Sequence, residues 1–228
     1  MKIGVVCTED KVQNHGFEMR KTAKFGAVEI YKVSFCKNGG KRRLVRRLKK
    51  CIKTFSDIGV SVCATEADFA HLYTGKMPLV CDGERVIRRR AGFAAQSFAE
   101  INGICADIVI CGGSFPEAVE SAKQILKTRR NVYIRNPAFE DIAEVIYRDV
   151  GVSIGQDRGG NFLEVNLTGE GYFLKFGEKF ADFGDITVTV PEIFSEGIPA
   201  KIIPQLAETL EISGFLRKKE IKVEYFLK

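Results

Sequence analysis

Three groups of residues carry types and spacings that could do chemistry. The first is Gly112-Gly113-Ser114, which follows the apolar run Ile108-Val109-Ile110-Cys111 and precedes a helical pattern starting at Phe115. Paired glycines permit a tight turn and close approach of a ligand to the backbone, and a helix amino terminus favours an anion. Ser114 with Glu117 three residues on also spells a capping box, in which the side chains take the free amides and the carboxylate repels an anion. Helix capping and the binding of a sugar hydroxyl or an amine therefore compete for the same atoms. Cys111, beside the glycines, reads either as a packed, inert thiol or as a nucleophile favoured by the helix terminus.

The second group is Arg135-Asn136, at the end of the next strand and about twenty residues beyond the glycines, where an acidic residue would meet a ribose hydroxyl and an arginine the phosphate of NADP. The plainer reading has Asn136 capping a helix that begins at Pro137, with Arg135 in solvent. Glu9 and Asp10 follow the first strand. Adjacent side chains diverge and make no acid/base pair, but one of the two could face a crevice and hold hydroxyls, an amine or a water-bound divalent ion. The third group is KRRLVRRLKKCIK, residues 41 to 53, with eight Lys/Arg among thirteen positions. Arg42, Arg43, Arg46, Arg47, Lys49 and Lys50, extended by Arg88-Arg89-Arg90, could meet nucleic acid, an acidic protein or an anionic membrane surface. The alternative is a solvated face of a helix that covers a sheet.

The elements that must position these residues follow from hydrophobic period. Apolar, β-branched runs near residues 2, 28, 60, 107, 131 and 152 predict strands. Leu44, Val45, Leu48, Ile52 and Phe55 form one stripe of a helix, and residues 115–130 and 137–150 are amphipathic with short loops. A helix over 10–25, a hairpin around Asp82-Gly83-Glu84 and a helix over 91–102 complete the first part. After Gly155, short runs at 161–167, 172–176 and 185–190 predict antiparallel strands, Pro199 to Ile212 a helix and Glu220 to Leu227 an edge strand.

This grammar predicts an α/β fold, a Rossmann-like doubly wound and mainly parallel sheet with antiparallel additions at the carboxyl end. Residues 1–157 would form the α/β domain, from halves 1–66 and 107–157 with an insertion at 67–106, and residues 158–228 a β-rich extension packed on it. Strands in the order 3-2-1-4-5-6 would place a crevice between Thr8-Glu9-Asp10 and Gly112-Gly113-Ser114. The resemblance to dinucleotide binders stops at the fold, because the glycine fingerprint fails: Ser114 and Glu117, or Phe115 and Ala118, stand where its later glycines belong.

Composition bounds the function. With 45% hydrophobic and 28% charged residues, the 228-residue chain can bury a full core, and no run approaches the roughly 18 apolar residues of a membrane span. Seven cysteines without CxxC spacing suit reduced thiols, and a cytoplasmic location is expected. His15 and His71 lie in no metal-ligand or triad spacing, and there is no P-loop or HExxH. Residues 1–106 carry 20 Lys/Arg against 10 Asp/Glu, residues 107–228 only 15 against 19, so the net +6 conceals a basic first half. Two functions are carried forward: a binder of a nucleotide-like or other small cofactor, with NADP and a reductase activity as the sharpest form, and a non-catalytic protein that holds nucleic acid or an acidic partner on helix 41–53.

Overall fold

The structure, a computed structural model, describes residues 1–9, 17–36, 40–70, 72, 78–154, 160–169 and 171–226. Asp10, His15 and His71 lie outside them, and so does the first part of the helix expected over 10–25. Two compact units divide the chain: Met1–Arg85 with Thr189–Lys222, and Val86–Val188 with Val223–Lys228. The chain thus crosses between units three times.

The first unit is built on a five-stranded sheet in the order β2-β3-β1-β4-β5, from β1 (Lys2–Glu9), β2 (Phe17–Phe25), β3 (Val28–Cys36), β4 (Val62–Thr65) and β5 (Leu79–Cys81). β1, β3, β4 and β5 are parallel, and β2 folds back antiparallel on β3. Residues 17–25 are therefore a strand and not part of a helix. Pairing with β3 along nearly its whole length outweighs the modest helical preference of FEMRKTAKF, which has no continuous apolar helical stripe. Helix α1 (Lys41–Asp57) buries Leu48, Cys51, Ile52 and Phe55 in a cluster with Val6, Val33, Phe35 and Cys63. Because side chains alternate along a strand, Ile3, Val5 and Cys7 point from the other face of β1, and all three are fully buried. Helix α8 (Ile203–Ile212) packs on β4 and β5, with Pro204 in its first turn. Short helices α2 (Ala67–Ala70) and α7 (Glu192–Ser195) lie in the connections. The hairpin expected around Gly83 is instead a strand-to-helix turn: β5 is parallel to β4, and helix α3 (Glu84–Arg89) starts straight after Gly83.

The second unit holds helix α4 (Ala91–Ile101), β6 (Ile108–Gly112), α5 (Phe115–Leu126), β7 (Val132–Arg135), a 3₁₀ turn (Pro137–Ile142), α6 (Ala143–Val150), β8 (Ser153–Ile154), β9 (Leu163–Leu167), β10 (Phe173–Phe176) and β11 (Lys179–Asp182). Its sheet order is β11-β10-β9-β6-β7-β8. Read from the other edge, that is 3-2-1-4-5-6 with β6 as strand 1. β9 pairs parallel with β6, contrary to the antiparallel expectation, while β10 and β11 are antiparallel as expected of this region. A two-stranded ribbon of β12 (Ile186–Thr189) and β13 (Lys222–Tyr225) completes the chain. Ile108, Ile110, Ile125, Ile134 and Ile146 are fully buried between the sheet and its helices.

The α/β class with parallel-rich sheets and antiparallel additions is thus as expected, but the described strands form two larger sheets and a two-stranded ribbon, not one sheet. β1 and β6 belong to different sheets, which removes the basis for a crevice between Thr8-Glu9-Asp10 and Gly112-Gly113-Ser114. The second sheet does have the expected order, made from β9, β10 and β11 where the first-half strands were assigned. Residues 163–182 supply three strands of that sheet. The reason is that Leu163, Val165 and Leu167 supply a buried face to β6, whereas the strands of the first unit are covered by α1 and by the later helix α8.

Candidate functional site

In a doubly wound sheet the strand order reverses between strands 1 and 4, here β6 and β9, and the loops leaving their carboxyl ends diverge. Gly112 and Gly113 occupy that position with φ of 71° and 80°, a region that side chains with a Cβ rarely enter. A Cβ on Gly112 would come within 2.7 Å of Thr168 Cγ2, and one on Gly113 within 2.9 Å of Leu167 Cβ. The double glycine is therefore required by the close approach of the end of β9 as well as by the turn.

Three loop ends are tied together there. The Asn166 side chain accepts the Thr168 N–H at 2.8 Å and its hydroxyl at 2.7 Å, closing β9. The Arg88 guanidinium donates to the Leu167 and Thr168 carbonyls at 2.7 and 3.2 Å. Asn136 donates to the Gly113 carbonyl at 3.0 Å and accepts the Ala138 N–H at 3.1 Å, so it caps the 3₁₀ turn and pins the loops of β6 and β7 to each other. Ser114 and Glu117 form the expected capping box, and one Glu117 oxygen accepts both the N–H and the hydroxyl of Ser114 at 2.8 Å. Cys111 is buried at the end of β6.

Of the residues read from the sequence, Gly112, Gly113, Ser114, Arg135 and Asn136 meet at the carboxyl ends of β6 and β7, whose register pairs Cys111 with Arg135. Arg135 is exposed. Phe115, 43% exposed, stands beside Ser114 and packs edge-on against Phe139 at 5.7 Å between centroids. Chemically, this rim offers a cation, an aromatic wall, a hydroxyl and a carboxylate. Asn166 and Thr168 escaped the sequence reading because their place depends on β9 being parallel to β6. The only available signal was Asn166-Leu167-Thr168-Gly169 closing an apolar run. Arg88, expected to extend the basic face of helix 41–53, is instead drawn to the end of β9, while Arg90 is buried and donates to the Val86 carbonyl.

Glu9 lies at the end of β1 in the first unit, bound to Lys32 at 2.8 Å and to the Ser34 hydroxyl at 2.7 Å. Those hydrogen bonds, that of Lys32 foremost, hold its carboxyl below the usual range. With Glu18 and Arg20 these residues line a shallow polar depression. Beside it, the buried Glu66 accepts the Thr8 N–H at 2.8 Å and also the Thr8 hydroxyl, and pairs with Lys201 at 2.9 Å. Burial raises the Glu66 carboxyl, and the bonds from Thr8 and Lys201 together outweigh it and leave it below its ordinary value. At the end of β5, the Glu208 carboxylate on α8 accepts the Gly83 N–H at 2.9 Å. Burial, reinforced by the Asp82 charge, pushes Glu208 up to about 7. Glu66, Lys201 and Glu208 sit in no motif, and only the fold brings them to these strand ends.

On α1, Lys41, Arg42, Arg43, Arg46, Lys49, Lys50 and Lys53 are exposed. Arg47 departs from that face, half-buried and donating to the Cys36 carbonyl at 2.6 Å. Among the described residues no cysteine is in a disulfide, no cluster of His, Cys, Asp and Glu could hold a metal ion, and no helix is long and apolar enough to cross a membrane.

No family model matches the chain, and no curated protein matches it. Among solved structures, L-tryptophan dehydrogenase from Nostoc punctiforme is similar over 73% of this chain and 55% of that chain, at 7% identity and a TM-score of 0.32. This chain therefore spans little more than half the length of that enzyme, and a likeness of this degree carries no argument about function.

Proposed function

We propose that the second unit binds a phosphorylated, nucleotide-like ligand of the NADP type at the carboxyl ends of β6, β7 and β9. Arg135 meets the phosphate on the ribose, Ser114 and Glu117 meet sugar hydroxyls, and Phe115 lies against the base. The observation that carries this reading is the sheet order, which reverses between β6 and β9 where two positive-φ glycines turn the chain. Arg135 supports it, at the end of the strand adjoining β6. Glu117 bears on the choice of ligand, since its carboxylate occupies the amide that a pyrophosphate would use and leaves the ribose end of the ligand as the better fit. When bound, a ligand of this type supplies hydride chemistry, and the activity that goes with it is that of a reductase.

Calorimetry and thermal shift with NADPH, NADH and 2′-phosphorylated adenosine nucleotides test the reading. The 2′-phosphorylated compounds are expected to bind and to raise the melting temperature, and NADH to do so far more weakly. Loss of a charge-assisted hydrogen bond of about 1.5–3 kcal/mol predicts a roughly tenfold or greater drop in that affinity for Arg135→Ala, with the ligand-free melting temperature unchanged. No binding of any of them at millimolar concentration would sink the proposal.

A further inference from the structure

From Lys41 to Lys53 the exposed face of α1 is made of cations alone, and the exposed Ser56 and Asp57 follow only in the last turn. Among its exposed residues Lys41, Arg42, Arg43, Arg46, Lys49, Lys50 and Lys53 there is no acidic or apolar side chain, and the helix reaches its only carboxylate, Asp57, in the last turn. Their positions do not serve the helix. Lys41, Arg42 and Arg43 occupy the first turn, where the helix dipole already presents partial positive charge, and like charges recur at i, i+3 and i+4. The helix is held instead by the buried stripe of Leu48, Cys51, Ile52 and Phe55 on its other side. Arg42, Arg46, Lys49 and Lys53 fall at i, i+4, i+7 and i+11, a line of charge about 16 Å long at 1.5 Å per residue.

We propose that this face docks on the phosphate backbone of duplex nucleic acid. The chemistry of the face selects this occupant. Insertion into a membrane surface calls for Trp, Phe or Leu at the rim of the basic face, and none is exposed on α1. An acidic protein partner would find no apolar or aromatic anchor to bury, and such anchors carry most of the energy of protein interfaces. Single strands are gripped by stacking on aromatic rings, which this face lacks. A duplex backbone asks only for a row of cations, with guanidinium groups matching its phosphates bidentately. Contacts of this kind carry no sequence preference. The inference is independent of the nucleotide site, which lies in the other unit.

The test is fluorescence anisotropy of the full chain with a labelled mixed-sequence duplex of about 20 base pairs, from low to physiological salt. Binding should be indifferent to sequence and should weaken with salt along a log–log slope of about −4, as expected when four to five phosphates are neutralised. The triple variant Arg42→Glu, Arg46→Glu, Lys49→Glu should lose at least a hundredfold in affinity with its circular dichroism spectrum and melting temperature retained, and the milder Arg46→Gln should lose severalfold and flatten the slope by about one. Absence of duplex binding at low salt, equal binding by the triple variant, or capture by vesicles of anionic lipid in place of the duplex would overturn the proposal.

Discussion

With one Glu117 oxygen accepting both the N–H and the hydroxyl of Ser114, any phosphate that reaches the start of α5 must displace a carboxylate or be repelled by it. Glu117→Gln keeps a side chain that can accept the Ser114 N–H and removes the charge. It is expected to leave the fold intact at a cost within about 1 kcal/mol and to raise affinity for pyrophosphate-bearing ligands in calorimetry. An unchanged affinity would show that the phosphates do not approach this terminus. Glu208 raises a different question, because its carboxyl is displaced upward, from the ordinary 4.5 to about 7, chiefly by burial. A raised carboxyl binds its proton more tightly in the folded state. Its stabilising contribution is therefore complete below about pH 4.5 and is lost as the pH rises through about 7, an effect on the order of 3 kcal/mol. Glu66 runs the other way: its lowered value contributes stability above the ordinary carboxylate range that is lost on acidification. Glu208→Gln, whose amide oxygen can still accept the Gly83 N–H, should raise the melting temperature at pH 8 and leave it nearly unchanged at pH 4.5. Equal effects at both values would refute the assignment.

Among elements, those with a long and single-period apolar pattern were legible in the sequence. Helix α1 begins at Lys41 and buries Leu48, Ile52 and Phe55 of the expected stripe, with Leu44 and Val45 only partly covered, α5 starts at its Ser114 cap, and α8 tolerates Pro204 in its first turn. Elements defined by a distant partner were not legible. β2 is a strand because β3 pairs with it, and β9 is parallel because β6 offers it an edge, and neither fact is written in local propensity. The turn at Gly83 shows the limit from another side. Its positive φ was foreseeable from Asp-Gly, yet a helix and not a second hairpin strand follows, because the Asp82 side chain accepts the Glu84 N–H and Gly83 lies against α8. The same limit applied to the candidate site. Ser114, Arg135 and Asn136 could be placed from spacing along one βαβ unit, whereas Arg88, Asn166 and Thr168 required the pairing of β6 with a strand some fifty residues away.

At the scale of the whole molecule, the central segment Val86–Val188 contains a complete sheet with its covering helices, while the first unit needs two separated stretches of chain. Expressed alone, residues 86–188 are expected to melt cooperatively. Residues 1–85 alone, with α8 missing from β4 and β5, are expected to give no cooperative transition in calorimetry. A cooperative melt of fragment 1–85 would show that α8 is dispensable to that core. This division also bears on how the chain comes off the ribosome. β1, which carries Ile3, Val5 and Cys7, is made before the whole central segment, yet the helix that packs on its sheet at β4 and β5 is made after that segment. During that interval an apolar sheet face waits uncovered in the nascent chain, which makes the first unit slower to finish folding than the central segment and the natural client of a holding chaperone.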